Sequence, residues 1–161
     1  LVVPVGGGGM IAGIAIAAKA LNPGIEIVGV ETSGFPAVHC ALHGREATFA
    51  GSTIAEGIAV KEPGALTLPI MRAHVADVLL VEDGDIEQAI GQLLEIEKTV
   101  VEGAGAAGLA ALLRHPDRFR GRKVGVVLSG GNIDLARFCE LIAVPALQEP
   151  RQGPMRGEKL Q

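Results

Sequence analysis

An α/β fold with an open, mostly parallel sheet flanked by helices follows from two observations on the chain. Apolar, strand-prone runs alternate with helix-prone runs along most of its length. Two glycine-rich turns, Gly6–Gly9 and Ser129–Asn132, each come directly after the carboxyl end of such a strand. Ligands of open α/β sheets gather at that edge, so both turns point to one crevice.

Leu1 to Val5 is apolar throughout, as in a parallel strand covered on both faces. Met10 to Leu21 is Ala-rich and helical, and Asn22-Pro23-Gly24 stops it. Ile25 to Glu31 is a second strand, completing a βαβ unit with a right-handed crossover. Pro36 to His43 reads as a short helix closed by Gly44, and residues 45 to 69 read as loop. Val75 to Val81 is a third strand. Asp83 or Asp85 then caps a helix from about Ile86 to Thr99, with Ile86, Ile90, Leu93 and Leu94 at helical spacing. Glu102 to Gly108 reads as a small-residue loop entering a helix from Leu109 to Leu113. Lys123 to Leu128 is a fourth strand, and a last helix runs from Ile133 or Asp134 to about Ile142. Residues 1–144 are expected to form the folded unit, and residues 145–161, rich in Pro, Gly, Gln and charge, a linker or disordered tail.

Composition narrows the function classes. At 161 residues, 48% hydrophobic and 20% charged, the chain suits one domain with a proper core. A formal charge of -4 with no dense Lys/Arg run argues against nucleic acid as a partner. No apolar stretch reaches the ~18 residues of a membrane span. Cys40 and Cys139 do not make a disulfide framework, so the expected compartment is the reducing cytoplasm. The chain starts at Leu1 inside a strand-like run without an initiator Met, and the expectation is a piece of a longer chain or a trimmed product.

Gly6, Gly7, Gly8 and Gly9 are the first site candidates. Four glycines let the backbone turn sharply and approach a ligand without a Cβ in the way. Their N–H groups, beside the positive end of the next helix, suit a phosphate; the plainer reading is a flexible turn. Gly7-Gly8-Gly9-Met10-Ile11-Ala12 also fits G-x-G-x-x-A, with Glu31 about twenty residues on, where a dinucleotide's ribose would be held. That NAD-binding reading leaves Ser129–Asn132 unexplained. A metal reading would use His39, Cys40 and His43 at helical spacing, but no second ligand cluster follows.

Five segments occur in order: Gly6 to Gly13, Val28 to Glu31, Thr53 to Gly64, Val101 to Ala106, and Leu128 to Asp134. This series resembles the C-terminal half of the catalytic domain of threonine/serine dehydratases. These are pyridoxal-phosphate enzymes of the tryptophan-synthase-β-like fold (fold type II), with serine racemase a close relative. The resemblance covers about residues 1–142, and its Ala59-Val60-Lys61 to Pro63-Gly64 stretch leans to the threonine dehydratase branch.

The resemblance implies pyridoxal 5'-phosphate as cofactor and a small-molecule amino acid as substrate. It implies that Gly6, Gly7, Gly8 and Gly9, with Met10 at the loop's exit, hold the cofactor phosphate. Ser129 would meet the pyridine nitrogen, and Gly57 and Glu102 would lie near the ring and substrate. Taken alone, Ser129 reads equally as a helix N-cap and Glu102 as a solvated residue at a helix start. The family's Schiff-base lysine stands in a Ser-x-Lys-type motif, and its substrate-carboxylate loop is a further motif. Neither occurs here: Lys19, Lys61, Lys98, Lys123 and Lys159 have other contexts, and Lys61 reads as a surface residue. No catalytic residue is therefore expected in this chain. No metal site is expected either, since Glu31 is the remaining candidate and Phe35-Pro36-Ala37 stands where the family's partner Asp would follow. The implied partners are an N-terminal half of the enzyme and further copies of the chain, through exposed strand edges. The alternative from another class is a non-enzymatic ligand-binding or assembly module.

Overall fold

The computed structural model describes residues 1–143; the boundary expected at 144 and the tail beyond it lie outside the described residues. Its sheet has three parallel strands in the order β1 (Val2–Pro4), β2 (Val28–Thr32) and β3 (Asp77–Val81). Val2 faces Val28, and Val28 faces Asp77, in the parallel register. The expected fourth strand is reduced to one parallel bridge, Val126 beside Val2 on the free side of β1. Val2 uses both its backbone groups there: its N–H donates to Gly125 O at 2.8 Å and its carbonyl accepts Val127 N–H at 3.0 Å. The next residue of β1 facing that side is Pro4, which has no N–H, so the ladder cannot continue.

Strand side chains alternate between two helical layers. Val3, Val5 and Val78 pack with Ile11 and Ala15 of α1 (Gly9–Leu21), Val38 of α2 (Ala37–Leu42) and Met71 of α3 (Thr67–His74). Val2, Val28, Val30 and Val81 pack on the other face. Their partners include Ile86, Ile90 and Leu93 of α4 (Asp83–Glu95), the alanines of α5 (Gly103–Arg114) and Phe138 and Leu141 of α7 (Leu135–Ile142). A short α6 (Pro116–Phe119) turns the chain back toward β1.

Four expectations are corrected. The stretch read as loop ends in α3, whose Pro69 stands in the first turn, where a missing N–H costs nothing. The cap of α4 is Glu82, in a reciprocal capping box with Asp85, because the Asp83 carboxylate is drawn away to Thr53 and Ile54. The small-residue stretch read as a loop is the start of α5, buried from Gly103 to Gly108. Its smallness is a packing requirement: Cβ atoms at Gly103 and Gly105 would overlap the backbone of Ile54 and of Gly130. β2 begins at Val28 rather than Ile25, and β3 at Asp77 rather than Val75.

Candidate functional site

The carboxyl edge of the sheet gathers the candidate residues. β1 runs directly into Gly6–Gly9, and Gly8 takes the left-handed conformation (φ +88°) as the N-cap of α1. The segment beside β1 delivers Ser129 to the same edge, α5 begins there with Glu102 as its N-cap, and a 3-10 turn, Glu56–Ile58, brings Gly57 across from them. Gly6, Gly7, Gly8, Gly9, Met10, Gly57, Glu102 and Ser129 line one cavity of about 290 Å³, together with Pro4, Ile11, Ile58 and Ala104. All eight residues expected to hold the cofactor therefore meet in one place.

The cavity has the donors of an anion site. Among the described residues, the backbone N–H groups of Gly6, Gly7, Gly8, Gly9 and Met10 donate to no protein acceptor. They stand at the positive end of the 13-residue α1. Open space lies where a Cβ of Gly7 or Gly9 would go, whereas Gly6 and Gly8 are hemmed in by neighbouring residues. Two glycines thus leave room for a ligand and two allow the loop to pack. This donor set fits a phosphate group.

Ser129 does not cap a helix. Asp134 caps α7, its Oδ1 accepting Ala136 N–H at 2.9 Å and Arg137 N–H at 3.1 Å, so the Ser129 hydroxyl is left to the cavity rim. Glu102 is both a helix-start residue and a cavity residue. Its N–H donates to Gly130 O at 3.1 Å, tying the turn after Ser129 to the start of α5. Glu102 and Ala104 also line a neighbouring cavity of about 650 Å³ with acidic walls, among them Glu56, Asp83 and Glu87.

Glu31 lies outside the cradle. It is 1% exposed, and its two carboxylate oxygens accept the N–H groups of Val38 and His39, each at 2.8 Å, at the start of α2. Burial pushes its carboxyl up to about 7, against the pull of those two hydrogen bonds. A Glu31 so enclosed has no oxygen to offer a ribose. His39 is committed as well: its Nδ1–H donates to Val78 O at 2.6 Å, and Arg45 donates to its Nε2 at 2.6 Å. Among the described residues, no group of three or more His, Cys, Asp or Glu side chains is arranged to hold a metal ion.

A further cavity, of about 400 Å³, lies at the opposite end of the strands by Glu26, Arg122 and Lys123. There Glu26 is bonded to both Arg118 and Arg122, which hold its carboxyl below the usual range. Residue-level reading of the sequence misses a different feature, the support of the glycine loop by Gly64 and Thr67, both bonded to the Gly7 carbonyl. Gly64 ends the segment Thr53 to Gly64, but Thr67 carries no signal, because the pattern around it does not announce α3. No helix among the described residues is long and apolar enough to cross a membrane.

Known proteins resemble this chain in sequence and in fold. The chain is 46% identical over 144 residues to an L-threonine ammonia-lyase of Thermotoga maritima, covering 88% of this chain and 36% of that protein. It is 48% identical to one of Geobacter sulfurreducens, with the same coverage of each. Among solved structures, a threonine deaminase of T.th. superposes with a TM-score of 0.77 at 38% identity, over 83% of this chain and 44% of that one. Maize serine racemase superposes with a TM-score of 0.77 at 39% identity, over 86% and 45%. The chain thus spans between about a third and a half of the length of these relatives. The model of the family described as pyridoxal-phosphate dependent enzyme matches residues 1–130, and the chain belongs to that family.

Proposed function

We propose that these residues are the carboxy-terminal part of the catalytic domain of an L-threonine ammonia-lyase that also takes L-serine. The full reaction converts L-threonine to 2-oxobutanoate and ammonia: the α-proton and the β-hydroxyl leave as water, and hydrolysis then releases ammonia. The observation that carries the reading is the meeting of Gly6–Gly9, Met10, Gly57, Glu102 and Ser129 around one cavity whose backbone donors are free.

The chain's own groups have separate tasks in this reading. N–H groups of the glycine loop and of Met10 bind the phosphate, with the α1 dipole behind them. The Ser129 hydroxyl meets the pyridine nitrogen and, being neutral, does not force a proton onto the ring. Gly57 and Glu102 bound the space beside the ring. When bound, pyridoxal phosphate supplies an electron sink that acidifies the α-carbon of the amino acid. A neutral partner at the ring nitrogen moderates that sink, which suits expulsion of a β-leaving group over long-lived charge delocalisation.

The 161 residues contain no Ser-x-Lys motif to supply the lysine that joins the cofactor and moves the α-proton. We therefore place both functions in a complementary N-terminal half and expect these residues alone to be inactive. The same reading places the folded unit at 1–144, the protein in the cytoplasm, and further copies of the chain among its partners. Glu31, the ribose candidate of an NAD site, is buried and capping α2, so the dinucleotide reading loses its second contact.

An absorbance titration with pyridoxal phosphate tests the proposal, because the cofactor absorbs at wavelengths where protein side chains do not. With the surface lysines reductively methylated so that they cannot take the aldehyde, the expected result is saturable binding with a spectrum that changes in Ser129→Asp. Binding of NAD in place of pyridoxal phosphate would overturn it.

A further inference from the structure

The Gly7 carbonyl accepts two hydrogen bonds from the start of α3: the Thr67 hydroxyl at 2.6 Å and the Gly64 N–H at 3.1 Å. A trans peptide is planar, with its C=O and the following N–H pointing in opposite directions. Turning the Gly7 oxygen toward Gly64 and Thr67 therefore turns the Gly8 N–H away from them. Thr67 also fixes the loop sterically. A Cβ on Gly8 would stand 2.8 Å from Thr67 Oγ1, so the hydroxyl lies against the left-handed residue that starts α1. The hydroxyl is itself held from below, since Oγ1 also lies 3.2 Å from Gly64 O, while Gly64 O accepts the N–H groups of Thr67 and Leu68.

Resting on the proposal that this loop holds the cofactor phosphate, we propose that Thr67 is a positioning residue, which orients the Gly7–Gly8 peptide so that the Gly8 N–H is presented to the anion. The chain binds a phosphate monoester through this peptide, and Thr67 never touches the ligand. Without the hydroxyl, the Gly7 carbonyl keeps only the longer bond from the Gly64 N–H, the four-glycine loop turns that peptide over more easily, and more of the ordering falls on the ligand itself.

The test uses pyridoxine 5'-phosphate and pyridoxine, two probes without an aldehyde to react with surface lysines, titrated calorimetrically into the purified chain and its variants. The parent chain should favour the phosphate ester strongly. Thr67→Val should weaken binding of the ester about tenfold, the scale of one oriented hydrogen bond, and leave pyridoxine binding unchanged. Thr67→Ser, which restores the hydroxyl, should recover the affinity to within about threefold. Thr67→Ala carries the same expectation as Thr67→Val should the latter fail to fold. Unchanged ester affinity in the folded variants would overturn the positioning role, as would an equal loss for both probes, which marks a merely structural effect. A parent chain that does not prefer the ester would instead bring down the phosphate-cradle reading on which the proposal rests.

Discussion

The N–H of Glu102 donates to the carbonyl of Gly130 at 3.1 Å, and the Glu102 carboxylate fills the space in which a Gly130 side chain would have to stand. Gly105, one turn into α5, closes the same contact, because its own Cβ would overlap the Gly130 oxygen. Ser129 is thereby held at a set distance from the start of α5. Gly130→Ala should push the Glu102 carboxylate out of its place, and because that is the end of a flexible side chain the cost in thermal unfolding should stay below about 1 kcal/mol. It should also abolish the spectral response to pyridoxal phosphate. Gly84→Ala, at an open helical position on α4, serves as the control and should leave both readouts unchanged or raise stability slightly.

Two glycines of the phosphate loop separate stability from binding. Gly8 has φ +88°, and a Cβ there would lie 2.6 Å from Met71 Cε. Gly8→Ala should therefore destabilise the fold by at least about 1–2 kcal/mol from the left-handed conformation alone. Gly7 has open space at its Cβ position and lines the cavity. Gly7→Ala should leave the denaturation midpoint nearly unchanged, within about 0.5 kcal/mol, while removing affinity for the phosphate ester. Equal effects of the two substitutions in denaturation and titration would contradict this division.

The same loop shows what can be read before the fold is in view. Gly6–Gly9 is legible as an anion turn because its signal is local: strand, glycines, helix. Ser129 is placed at the crevice by its glycine-rich turn after a strand, but its role, like Gly57 and Glu102 altogether, enters through resemblance. The α5 start misleads because Gly103 to Gly108 looks like a flexible loop until the backbones of Ile54 and Gly130 are seen against it. Its glycines answer to distant neighbours, which a local reading cannot weigh. α3 escapes for a related reason: Pro63, Gly64 and Pro69 punctuate its sequence, yet Met71, fully buried between sheet and loop, anchors it. Thr67 escapes with it. The fourth strand fails on one atom, the N–H that Pro4 lacks.

Gly57 is held in place by a contact made outside the cradle. The Asp83 carboxylate accepts the Thr53 hydroxyl at 2.5 Å and the Ile54 N–H at 3.2 Å, and Thr53 is only 9% exposed. These bonds fasten the segment that leads into the 3-10 turn carrying Gly57. Asp83→Ala leaves both donors without their charged acceptor and should cost about 2–3 kcal/mol. Hydrogen exchange should accelerate at residues 53–58 more than in the sheet. A uniform acceleration across the whole chain would mean that Asp83 supports the fold globally instead of this wall of the cavity.

Glu31 gives the fold a pH dependence whose sign follows from its burial. Its carboxyl is raised from an ordinary value of 4.5 to about 7, so the folded state binds this proton more tightly than the unfolded state does. The stabilising contribution is fully present below about pH 4.5, where both states are protonated, and is lost as pH rises to about 7 and beyond. Above that, the ionised group keeps its two N–H donors from α2 but bears the cost of a charge away from water. Chemical denaturation at a series of pH values should show stability falling across this window by no more than about 3 kcal/mol. In Glu31→Gln the slope over this window should flatten, because no proton is exchanged there. An unchanged slope in Glu31→Gln would assign the pH dependence to other groups.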